Sequence, residues 1–141
     1  MKVSVERKGS KIHFEGTNKN GHTMEMGTVP KNGGDGGVSP MEGLLMSLAG
    51  CSGIDILMIL AKGRQQVDDF KADVDADREN GKIPSLFTAI RIHYSFEGDL
   101  DQAKVERAIK LSVEKYCSVA MILGKTAPIT WSYAINGVDY S

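Results

Sequence analysis

Cysteine is scarce in this chain, which carries only Cys51 and Cys117 among its 141 residues. Two thiols are too few to staple a small disulfide scaffold, and their separation matches no compact zinc pattern. No run of Lys and Arg builds a basic stripe and the formal net charge is −1, so neither nucleic acid nor an anionic membrane is expected as a partner. The N-terminal segment from Met1 to Lys8 lacks the apolar core of a signal peptide. The expected location is therefore the cytoplasm, where two remote thiols stay free. The glycine-rich stretch 30–38 lacks the Gly-Lys-Ser/Thr ending of a phosphate loop. Only one long apolar run exists, Met41–Leu60, and it contains Glu42, Asp55, two serines and three glycines. It predicts a helix buried on nearly all sides rather than a membrane span.

What remains is ordinary globular material, 41% hydrophobic and 25% charged, expected to form a single domain over 1–141. Alternation of Val3, Val5 and Arg7, then Ile12 and Phe14, then Met24 and Met26, broken by turns at Lys8–Ser10 and Asn18–Gly21, predicts a three-stranded meander. Ser39, Pro40 and Glu42 form a capping box that starts a helix running to Lys62, with Gly63 as its C′ stop. Two alternating segments follow, Phe70–Ala76 and Ile90–Phe96, as an antiparallel pair with one polar face bearing Asp73, Asp75 and Asp77. A helix from about Asp101 buries Val105, Ala108, Ile109, Ser112, Val113 and Tyr116 on one stripe. It breaks near Cys117–Ser118 and resumes from Val119 to Gly124, before a last strand from Ile129 to Ile135. The expected order is β-β-β-α-β-β-α-β, an α+β fold with two helices against largely antiparallel sheet. A central helix apolar all round needs cover that either a homodimer packing two such helices supplies, the leading expectation, or the sheet and second helix of one subunit. Gly43, Ser47 and Gly50 would permit the close approach.

The chemistry rests on the thiols. Cys51 lies mid-helix with Asp55 on its face, one turn on. A neighbouring carboxylate opposes a thiolate, so reactivity requires a cation; Arg7 and Arg64 are the candidates. Cys117 precedes a new helical segment, whose free N–H groups favour a sulfur anion. Each cysteine can equally be a small core residue, but two helix-borne thiols that meet could act as attacking and resolving groups. His13, His22 and His93 are scattered on polar faces or turns and form no nucleophile–base arrangement.

The segments Gly36-Gly37-Val38-Ser39-Pro40-Met41-Glu42, Ala49-Gly50-Cys51-Ser52-Gly53-Ile54-Asp55 and Glu114-Lys115-Tyr116-Cys117-Ser118-Val119 resemble the OsmC/Ohr family (osmotically inducible protein C and the organic hydroperoxide resistance proteins), and within it the YhfA-like branch. The resemblance implies an intertwined homodimer, with antiparallel sheets from both subunits wrapped around the central helices. It also implies thiol-dependent reduction of organic hydroperoxides, with Cys51 peroxidatic and Cys117 resolving, regenerated by a dithiol such as a lipoylated protein. No metal or cofactor is implied. The peroxidases place Glu directly after the Pro, where this chain has Met41; Glu42, one residue later, suits capping better than holding an arginine, and Arg7 matches the family's arginine approximately. Ser118 stands where peroxidase members commonly have Pro. These departures keep open a non-catalytic protein that binds a small apolar ligand, or a redox sensor.

Overall fold

The computed structural model describes all residues, Met1–Ser141, as two compact units, Met1–Leu44 and Leu45–Ser141. In the first, β1 (Val3–Arg7), β2 (His13–Asn18) and β3 (Thr23–Gly27) form the expected antiparallel meander. The Asn18 carboxamide closes the second turn by accepting from the backbone N–H groups of Asn20 and His22 at 2.9 and 3.0 Å. A single 3₁₀ turn, Pro30–Asn32, follows, and glycines 33, 36 and 37 take positive φ in the loop leading to the helix.

α1 spans Pro40–Lys62. The capping box is formed: Ser39 N–H donates to Glu42 Oε1 at 3.0 Å, and Glu42 N–H donates to Ser39 Oγ at 3.2 Å. At the other end the stop lies one residue later than expected. Gln65 N–H reaches Leu60 O at 2.9 Å and Arg64 N–H reaches Ala61 O at 3.0 Å, a Schellman arrangement whose left-handed residue is Arg64 (φ 57°), not Gly63.

In the second unit β4 (Asp69–Arg78), β5 (Phe87–Glu97), β6 (Ile129–Ile135) and β7 (Val138–Tyr140) form a sheet in that order. β4–β5 and β6–β7 pair antiparallel, while β5–β6 pair parallel. The parallel pair follows from connectivity, since the chain crosses over through α2 (Gln102–Leu111) and α3 (Ser118–Gly124) before β6. β7 was not anticipated; three residues beyond an Asn136-Gly137 turn are too short to show alternation. The polar face holds Arg91, whose guanidinium bridges Asp75 at 2.5 Å and Asp77 at 2.9 Å. The opposite face of β5 buries Ile90, Ile92, Tyr94 and Phe96, and Leu48, Ile56 and Leu60 of α1 and Val105, Ala108 and Ile109 of α2 are buried as well. Gly53 lets α1 approach this sheet closely, for a Cβ there would sit 3.0 Å from the Phe70 ring.

Two expectations about burial change. α1 is long and apolar enough to cross a membrane by composition, yet it packs on a sheet through a single stripe, Leu48, Ser52, Gly53, Ile56 and Leu60. Met46, Ile54 and Met58 are 55%, 62% and 55% exposed on its other side. Tyr116 is also exposed, because Ser112–Tyr116 form a π-helical turn. Its extra residue moves the buried stripe from position 116 to Cys117.

Candidate functional site

Cys51 and Asp55 stand one turn apart on α1, on the border between its buried and exposed stripes, and both are half-buried. Cys117 closes the π turn, its N–H bonded to Ser112 O at 2.8 Å, and then leaves the helix in an extended conformation to cap α3. That turn aims a fully buried sulfur at α1. The two sulfur atoms and a carboxylate oxygen of Asp55 all lie within 4.8 Å of one another. The sequence-distant thiols therefore meet.

Their setting is a chain of buried hydroxyls. Tyr94 donates to Ser52 Oγ at 2.7 Å, and Ser52 donates to Leu48 O at 2.8 Å. Ser112 Oγ lies 3.0 Å from Ser52 O and 3.4 Å from Asp55 Oδ2, so its single proton is shared between two acceptors, the α1 backbone and the carboxylate. Ser52, Tyr94 and Ser112 were not singled out from sequence. Ser52 follows Cys51 directly and Ser112 sits on the predicted stripe, so a serine on a buried face was the available signal.

Cys117 does cap α3, with Sγ accepting from Ala120 N–H at 3.3 Å. The expected sulfur anion nonetheless does not form at neutral pH. Burial pushes the thiol up to about 11, against the backbone N–H of Ala120, and the neighbouring Cys51 adds to the rise. Burial also raises the Tyr94 phenol, so both stay protonated.

Arg7 and Glu42 are each engaged with their own neighbours. The Arg7 guanidinium donates to Lys11 O at 2.9 Å and to Ser10 O, bracing the β1–β2 turn. The bonds from Ser39 hold the Glu42 carboxyl below the usual carboxylate range. Two further cations share a cavity with Asp55: Lys62 and Arg107 line, with Asp55, Met58, Leu111 and Tyr116, an open cavity of about 500 Å³. His93 bonds Ser132 Oγ at 2.8 Å on the polar sheet face, and His13 lies 3.4 Å from Glu25.

Residues 33–132 match the OsmC family model, described as OsmC-like protein. Protein YhfA of Escherichia coli strain K12 is 46% identical over 125 residues, covering 88% of this chain and 90% of that protein. A hypothetical protein from Aquifex aeolicus VF5 is 33% identical, with a TM-score of 0.79 over 96% of each chain. The organic hydroperoxide resistance protein OhrB of Bacillus subtilis shares the fold at 15% identity, with a TM-score of 0.61 over 94% of this chain and 96% of that one.

Proposed function

Because this chain belongs to the OsmC-like protein family, we propose that it reduces organic hydroperoxides through Cys51 and Cys117 in defence against oxidative stress. The observation that carries this reading is the approach of the two sulfurs to within 4.8 Å, from elements the sequence separates widely.

The roles follow from exposure. Cys51 is the half-buried sulfur and meets the substrate, whereas Cys117 is fully buried and held as a neutral thiol. The Cys51 thiolate attacks the peroxide: an S–O bond forms, the O–O bond breaks, and the alcohol leaves with a proton. Cys117 then attacks the sulfenic sulfur, forming the S–S bond and releasing water. An external dithiol, such as a lipoylated protein, reduces the disulfide by exchange. The extended backbone at Cys117, free of the helix on its N-terminal side, gives the second sulfur room to close. In the cavity beside Asp55, the apolar side chains of Met58 and Leu111 suit an alkyl or aryl hydroperoxide, and Lys62 and Arg107 line the same cavity. The Arg7 and Glu42 of the resemblance have no step in this sequence of events.

The reading extends to a homodimer. Met46, Ile54 and Met58, joined on the same face by Leu57, form an apolar stripe along the helix. A second copy placing its own stripe against the first removes both from water.

Turnover of cumene hydroperoxide with dithiothreitol tests the reading. Cys51→Ser should abolish it. With dithiothreitol removed, Cys117→Ser should retain one oxidation per chain and leave a sulfenic acid that dimedone traps. Undiminished turnover in Cys51→Ser would remove the proposed nucleophile.

A further inference from the structure

Two soft sulfur ligands and a carboxylate, converging from a helix and from the break between two others, also make the inner ligand set of a metal site. We infer that the reduced protein binds one zinc ion per chain through Cys51 Sγ, Cys117 Sγ and an Asp55 carboxylate oxygen.

Zinc holds thiolates at about 2.3 Å and carboxylate oxygens at about 2.0–2.2 Å, so tetrahedral ligand atoms lie about 3.4–3.8 Å apart. The three atoms here already lie within 4.8 Å of one another, and closing the set takes movements on the order of 1 Å. Two of the ligands are fixed in relative position by one turn of α1. The third is fixed by the π turn. Ligating carboxylates need an outer partner to hold their orientation, and Ser112 Oγ, 3.4 Å from Asp55 Oδ2, stands where that partner belongs. Sulfur selects a thiophilic cation over magnesium or calcium, which take all-oxygen sets. Two thiolates, one carboxylate and a divalent ion leave one negative charge, and Lys62 and Arg107 share the Asp55 cavity. Three protein ligands leave the fourth position to water.

Binding displaces the two thiol protons and occupies the same sulfurs that peroxide would oxidise, so zinc loading and hydroperoxide reduction exclude one another. The ion acts as a reversible block on the thiol pair. The site itself does not depend on the peroxidase reading, since it asks only that both sulfurs and the carboxylate be present and reduced.

The test uses the full chain, reduced and free of oxygen, with Zn²⁺ titrated against a chromophoric chelator and Co²⁺ as a spectroscopic probe. One ion should bind per chain, and Co²⁺ should show thiolate charge-transfer absorption and the intense visible bands of a tetrahedral centre. Asp55→Asn and Cys51→Ser should each weaken zinc binding at least tenfold, and Ser112→Ala by about tenfold, within the range for an outer-partner loss. Far-UV circular dichroism and thiol titration check that each variant is folded and reduced. Substoichiometric binding by the wild type, octahedral Co²⁺ spectra, or unchanged affinity in a folded Asp55→Asn would each overturn the site. Peroxide turnover is read separately: zinc should suppress it and chelator restore it. A protein that binds zinc but never turns over peroxide retains the site and loses the peroxidase, and one that turns over peroxide in excess zinc loses the block.

Discussion

At Cys117 two features of the surroundings oppose one another. It caps a helix, where N–H groups favour an anion, and it is buried, which disfavours one; burial wins and moves the thiol from 9.0 to about 11. Its effect on stability has a definite sign. Below pH 9 the thiol is protonated in both folded and unfolded chains and contributes no pH dependence. Between pH 9 and 11 the unfolded chain releases the proton first, so the folded state binds more protons and stability falls as pH rises. The denaturant midpoint should therefore drop across this window in the wild type and drop less in Cys117→Ala; burial, the main cause of the Tyr94 shift, acts in both proteins, while the smaller part that Cys117 adds to it is lost with the thiol and works in the same direction. Equal slopes in the two proteins would mean that burial does not hold the thiol neutral. Sequence exposes the ingredients of this balance, a cysteine before a helix, but not the winner. Which effect dominates depends on the depth of the sulfur, and that depth is set by the π turn.

At the scale of elements, most of the architecture was legible because local rules agree. The Ser39–Glu42 box, the turn at Asn18–Gly21 and the strict alternation of β5 each fix a boundary or a face without tertiary help. What escaped was decided by single hydrogen bonds. The bond from Cys117 N–H to Ser112 O, one residue longer than an α-helical bond, turned Tyr116 outward and Cys117 inward. Likewise the two bonds closing α1 put the left-handed conformation on Arg64, beside a glycine that could have held it at lower cost. Arg64→Gly should accordingly stabilise the protein, by up to about 1 kcal/mol, since glycine alone adopts positive φ freely. A lowered thermal midpoint would show that the arginine side chain compensates for the strain of its backbone. The buried serines of the site were harder to foresee, because a serine between apolar neighbours reads as a weak break in a pattern until its partner is placed.

For the whole molecule, the apolar content of α1 exceeds what one chain covers. Ile54 is 62% exposed at the centre of a helix whose opposite stripe is fully packed. The proposed homodimer accounts for this excess, and Ile54→Asp should convert the dimer to monomer in sedimentation equilibrium, each buried charge opposing its symmetric copy. A wild type that sediments as a monomer at all concentrations would refute the pairing.

The direct test of the central claim is peptide mapping by mass spectrometry after one equivalent of cumene hydroperoxide acts on the fully reduced protein. The proximity of the sulfurs predicts loss of two hydrogens per chain and one intrachain cross-link joining the peptides of Cys51 and Cys117. Cys51 oxidised beyond the sulfenic state beside a free Cys117, or both thiols unchanged, would contradict it.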